Sequence, residues 1–202
     1  MIQKGYVGQV VHNGFINIDQ QKESQTENDL EKIIKTKNIQ TQDMVLNPIL
    51  DFKDFNINFL YPTTTPYMDK KGKSKSVDDN DYSIVFKLSH IKSDTSFMLT
   101  GDAPIKAEKE IINMYCPDHK TSDNCPMLKS TVLKLGHHGS KNSSGIDFLK
   151  KVDATDYVVS AGFNNKYNHP NEETIYRIDL LNKKDSRVRE TSLEGSVVYM
   201  LD

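Results

Sequence analysis

"TVLKLGHHGSKNSSG", residues 131–145, joins an apolar run to two adjacent histidines and then to a loop of Gly, Ser, Asn and Lys. Val132, Leu133 and Leu135 read as a buried strand, expected over 131–136. The residues after it, "IDFLKKV", read as a helix near 145–152. A strand that gives way to a polar loop and then a helix is half of a β–α–β unit, so this stretch sets the fold class. It also poses a chemical question. Neighbouring side chains on a strand point to opposite faces, so His137 and His138 reach one site only if the strand ends between them. Gly136 and Gly139 permit such a change of direction.

Working outward, strands and helices alternate. "DYVVSAG" (156–162) reads as a strand and 171–182 as a helix. "SIVFKLS" (83–89) and "TSFMLTGD" (95–102) read as a hairpin feeding the helix "APIKAEKEIINMY", with Pro104 in its first turn. Phe55, Ile57 and Phe59 alternate with polar residues along another strand, stopped by Tyr61-Pro62. Near the start, Tyr6–Val11 and Phe15–Ile18 read as strands around the turn pair Asn13-Gly14. "TENDLEKIIKTK" is a short amphipathic helix with Thr26 as a candidate cap. The end, "RVRETSLEGSVVYML", reads as a closing hairpin. The fold class is α/β (α+β), with one domain over 1–202 and a mobile polar loop at 62–82.

Composition excludes several functions. A chain of 202 residues with 36% hydrophobic residues and a net charge of −2 has no apolar run that spans a bilayer. It carries no secretory signal, so it is expected to be soluble and, by default, cytoplasmic. Lys129, Lys134, Lys141, Lys150 and Lys151 surround the histidines and are expected to be solvated surface lysines. Bulk charge gives no reason to expect a general nucleic-acid binder. Cys116 and Cys125 leave a loop disulfide, two free thiols or a zinc site with His119 as alternatives.

Three polar clusters fall at predicted strand ends, where α/β proteins build sites. Asp102, in "TGD", is placed to hold a cation or to cap the next helix. His137 and His138 offer imidazoles, and Ser140, Ser143 and Ser144 offer hydroxyls suited to an anionic substrate. His169, before Pro170 in "FNNKYNHPNEET", reaches the same region from a third loop.

With "NDYSIVFKL" (80–88), "FMLTGD" (97–102), "VLKLGHHGSKNSS" (132–144), "VVSAGFNNKYNHPNEETIYRI" (158–178) and "ETSLEGSVVYML" (190–201) in this order, the chain resembles the metallo-β-lactamase-fold domain of ComEC-type competence proteins. The resemblance covers roughly residues 50–202 and implies an αββα sandwich with a zinc or manganese hydrolytic site acting on a phosphodiester, nucleic acid or related ester. It implies that Asp102 and His138 are metal ligands, and that His137 and His169 are catalytic. The family's HxHxDH motif is absent from these six histidines, so the chain resembles only the C-terminal part of the domain. The missing donors then come from a partner chain or a homodimer that completes the fold. An isolated half sandwich is expected to dimerise or to be poorly soluble. The alternative is a degenerate, non-catalytic member acting as a binding or interaction module.

Overall fold

A computed structural model describes residues 6–13, 25–64, 78–118 and 122–201. The expected strand Phe15–Ile18, the Gly14 side of its turn, His119, and residues 65–77 of the polar loop lie outside these residues, as does the Thr26 side chain. The chain divides into two compact units, one of residues 1–49 and 62–77, the other of 50–61 and 78–202.

In the first unit, β1 (Gln9–His12) pairs in parallel with β2 (Gln40–Asp43) across the helix α1 (Gln25–Thr36). Only the helix and β1 are legible in the sequence pattern. β2, "QTQD", has no apolar alternation to announce it.

In the second unit a seven-stranded sheet runs in the order β3 (Ile49–Asp51), β4 (Phe55–Tyr61), β5 (Val85–His90), β6 (Ser96–Leu99), β7 (Val132–Lys134), β8 (Asp156–Val159), β9 (Arg187–Glu190). β4, β5 and β6 are antiparallel neighbours, as the hairpin reading requires. From β6 to β9 every pair is parallel. The crossovers are α2 (Ile105–Tyr115), α3 (Ile146–Val152) and α4 (Glu172–Asp179). Because the three successive crossovers step in one direction and share one hand, their helices share one face of the sheet. α3 accordingly touches both α2 and α4.

The core lies between that face and the helices. Met98, Leu133, Tyr157 and Val159 from the strands meet Ala107, Ile111, Phe148, Leu149 and Ile178 from the helices, all at most 2% exposed. Strand alternation sends Phe97, Leu99, Val132 and Val158 to the opposite face. There they line an open groove of about 510 Å³ together with Leu88, Val197, Tyr199 and Leu201.

The chain's last segment corrects the closing hairpin. β9 pairs in parallel with β8, and α5 (Thr191–Glu194) follows it directly. Gly195, at φ +76°, then turns the chain. No second strand is assigned in 195–201. Tyr199 instead sets its ring edge-on to Phe97, centroids 5.3 Å apart.

Cys116 and Cys125 form a disulfide at the end of α2, both 2% exposed, so neither thiol is left to bind a metal. Two of the five lysines expected on a solvated surface are not there. Lys151 is 3% exposed and pairs with Asp123, and Lys134 is half-buried.

Candidate functional site

The site is built where β6, β7 and β8 end. All three strands are parallel, so their carboxyl ends and the loops that follow them share one edge of the sheet. That edge brings together Asp102 after β6, His137 and His138 after β7, and His169 in the loop between β8 and α4.

β7 stops at Lys134, two residues earlier than expected. Both histidines then take left-handed backbone, φ +47° for His137 and +57° for His138, in a kinked, non-helical turn from Gly136 to Gly139. Alternation therefore does not separate them. Their rings lie 6.2 Å apart between centroids, and His137 lies 5.8 Å from His169. The turn is held against the Asp102 loop by the His137 N–H, which donates to the Gly101 carbonyl at 3.0 Å. Lys134 Nζ reinforces the junction by donating to the carbonyls of Gly101 and Leu135 at 3.2 and 3.1 Å. Burial pushes the Lys134 ammonium below its ordinary pKa, and the Asp102 charge works against that shift.

Asp102 does not cap α2. The cap position is Pro104, and no side chain caps the helix. The Asp102 carboxylate faces His138 instead, with Oδ1 3.7 Å from Nε2. Its own N–H donates to Ser83 Oγ at 3.1 Å, which seats the turn against the start of β5. On the far side of the imidazole, His138 Nδ1 lies 2.5 Å from the Ser160 carbonyl. A carbonyl only accepts, so Nδ1 carries the hydrogen. In the neutral ring Nε2 then presents a lone pair toward a carboxylate. Two acceptors facing each other are reconciled by a proton, a cation or a bridging water.

His169 is placed by its loop. Asn165 accepts the His169 N–H through Oδ1 at 2.9 Å and donates through Nδ2 to the His169 carbonyl at 2.7 Å. The following peptide, to Pro170, is cis. Pro170 packs so closely on Gly139 that a Cβ there would come within 2.8 Å of the proline Cβ. His169 Nδ1 is buried without a hydrogen-bond partner. Burial, then the neighbouring His137 and His138, lowers the pKa of His169 below its ordinary value.

The three serines are turned into their own loop. Ser140, Ser143 and Ser144 are 6%, 0% and 1% exposed. Ser144 Oγ accepts the Gly136 N–H at 3.0 Å, and the Ser140 carbonyl accepts from Thr174 Oγ1. Beneath the loop lies Glu108, 1% exposed, whose two carboxylate oxygens accept the N–H groups of Ser144 and Gly145 at 2.6 and 2.8 Å. Burial raises its pKa to about 7 against the opposing pull of those two bonds. Arg177 closes the loop from α4 by donating to the carbonyls of Lys141 and Ser143. The sequence reading did not single out Glu108, Arg177 or Lys134 as parts of the site. Glu108 carried a signal nonetheless, since it sits at i+3 from Ile105 and i−4 from Ile112, on the helix face that should be apolar.

Among the described residues no three His, Cys, Asp or Glu side chains converge as a metal-binding group. A structural zinc takes about four ligands and a catalytic one about three. Asp102 and His138 supply two facing donors, so the described residues do not by themselves fit a zinc or manganese centre.

No family model matches the chain. Comparison with known proteins finds 30% identity over 151 residues with ComE operon protein 3 of Bacillus subtilis (strain 168), covering 75% of this chain. Competence protein ComA of Neisseria gonorrhoeae is 30% identical over 132 residues, 65% of this chain. The chain is related to competence proteins. Recombination protein 2 of Haemophilus influenzae is also 30% identical, over 119 residues and 59% of this chain. The matched segments are 16%, 17% and 13% of those proteins, so the chain spans no more than about a sixth of the length of these relatives. No helix among the described residues is long and apolar enough to cross a membrane.

Proposed function

We propose that this chain carries the later half of a phosphoester-hydrolase site of the kind that handles nucleic acid in competence, on one half of a metallo-β-lactamase-like sandwich. The observation that carries this reading is the facing pair of acceptors, Asp102 Oδ1 and His138 Nε2, at the carboxyl ends of adjacent parallel strands. His137 and His169 stand beside it, and the depressed pKa of His169 favours a neutral imidazole able to accept a proton at neutral pH. Zinc or manganese is the cation proposed for the pair, with the remaining donors supplied from outside this chain. A sheet with helices on one face and an apolar groove on the other supports the half-sandwich reading, as does similarity to competence proteins.

The test is metal uptake by the purified chain, followed by hydrolysis of bis-p-nitrophenyl phosphate. The expected result is weak binding of zinc or manganese that Asp102→Ala and His138→Ala each abolish. Any hydrolysis is expected to be lost in His138→Ala together with the bound ion. Failure to take up either ion in excess overturns the hydrolase reading for this chain. A second reading, a non-catalytic binding module, draws on the absence of a three-donor group among the described residues. It predicts nucleic-acid or protein binding that is indifferent to both substitutions.

A further inference from the structure

The loop that places His169 also displays aromatic side chains to solvent. Phe163 and Tyr167 are 73% and 65% exposed. This is not a loosely tethered segment. Asn165 Nδ2 donates to the carbonyls of Gly162 and His169, its Oδ1 accepts the His169 N–H, and its carbonyl accepts the Asn168 N–H. Asn164 and Asn168 take left-handed backbone, φ +50° and +53°, a conformation asparagine tolerates better than most residues. A loop fixed this firmly, with its aromatic residues outward, holds a surface in place for something to pack on.

Tyr167 has a defined orientation. Its ring stacks on the His169 imidazole, centroids 5.8 Å apart and planes 21° from parallel. His169 in turn meets His137 edge-on at 5.8 Å. A flat aromatic surface thus continues directly from the histidine cluster. Lys166 Nζ lies 4.7 Å from the centroid of the Tyr167 ring. At so exposed a position that cation–π contact is weak and easily exchanged. A planar group that also carries negative charge would take the ring for itself and the ammonium for its charge.

We propose that Tyr167, backed by His169, is a stacking platform for one base of a single-stranded nucleic acid. The adjoining backbone phosphate lies toward the Asp102–His138 pair, and Lys166 swings from the ring to a phosphate. Phe163 adds a second exposed aromatic contact on the same loop. The strand must be single because a base inside a duplex has both faces already stacked. Stacking of this kind tolerates any base, since every base has a π-face. The inference rests on the phosphoester reading of the histidine cluster, and it adds where the substrate's non-reacting part is held.

The test uses the purified chain in EDTA, so that no hydrolysis occurs, and reads fluorescence anisotropy of two labelled oligomers of about 12 nucleotides. One is oligothymidylate; the other is an abasic oligomer of equal charge. The expected result is roughly tenfold tighter binding of the base-bearing strand, near the lower end of a base–aromatic stack. Tyr167→Ala is expected to remove that advantage without changing abasic binding, and Tyr167→Phe to keep it. Lys166→Ala is expected to weaken both oligomers. Equal affinity for the two oligomers overturns the proposal. So does an unchanged preference in Tyr167→Ala, or a Phe variant that falls as far as Ala. Hydrolysis of bis-p-nitrophenyl phosphate needs the metal, whereas the binding measurement is made in EDTA, so loss of hydrolysis bears on the catalytic reading alone. A base-dependent affinity without turnover therefore separates the two.

Discussion

Glu108 Oε1 accepts the Ser144 N–H at 2.6 Å, a bond that ties helix α2 to the loop behind the paired histidines. Ser144 Oγ passes the constraint on by accepting the Gly136 N–H, one residue before His137. Both Glu108 oxygens are engaged as acceptors, and a protonated carboxyl keeps a lone pair on each oxygen, so the clamp holds whether or not the proton is bound. Burial opposes ionisation and raises the pKa from 4.5 to about 7.

Glu108→Gln is therefore expected to destabilise the fold by about 1–3 kcal/mol at low pH, because the amide NH2 faces a backbone N–H it cannot pair with. The pH dependence has a definite sign. The folded chain holds the Glu108 proton more tightly than the unfolded chain, so this group's contribution is full below pH 4.5 and is lost as pH rises toward 7. Urea unfolding at intervals from pH 4.5 to 8 should show the wild-type advantage over Glu108→Gln shrinking by up to about 3 kcal/mol. A difference independent of pH contradicts the raised pKa.

Asp102→Ala is expected to change stability by less than about 0.5 kcal/mol, as for a partly exposed side chain with no capping role. A true N-cap would cost about 1 kcal/mol. Thermal unfolding of the variant decides between them, and a large loss shows that Asp102 holds the helix after all.

Gly139→Ala strikes two obstacles at once. The backbone sits at φ +85°, and the new methyl group would meet Pro170 Cβ at 2.8 Å. A loss of about 1–3 kcal/mol is expected from the strained backbone alone. The Pro170 contact should also move His169, so its imidazole proton resonances should shift in NMR spectra. Wild-type-like stability and spectra would show that the two loops do not interlock as described.

His169 is expected to titrate below 6.5 by NMR, because burial and the adjoining imidazoles disfavour its charged form. His137→Gln removes one of those like charges and should move the midpoint upward. Since the folded chain resists a proton that the unfolded chain accepts near pH 6.5, this group's contribution to stability falls as pH drops through that value. A midpoint at or above 6.5 in the wild type contradicts the placement.

Much of the second unit is readable from local pattern. β4, β5, β6, α2, α3, β8 and α4 each announce themselves by apolar spacing and by Pro or Gly at their ends, and their alternation dictates the parallel half of the sheet. The paired histidines were harder. Strand alternation gave the wrong geometry for them, because β7 ends at Lys134 and the turn places both in left-handed backbone. That backbone is stabilised by bonds to Gly101 and Ser144, residues 37 positions before and six after His138, which no local pattern contains.

Sequence alone supplied the candidate side chains and the order in which they occur: Asp102, His137, His138 and His169, each after a strand. Type and order follow from the chain itself. Which of them meet, and which are turned away, was decided only in three dimensions. Parallel strands carry their ends to one edge, so residues separated by 67 positions, Asp102 and His169, belong to one cluster. The same packing turned the three serines inward on Glu108 and Arg177, because buried N–H and C=O groups in a tight loop must find partners. It also left Tyr167 exposed beside the site, held there by hydrogen bonds to Asn165 that apolar patterning does not encode.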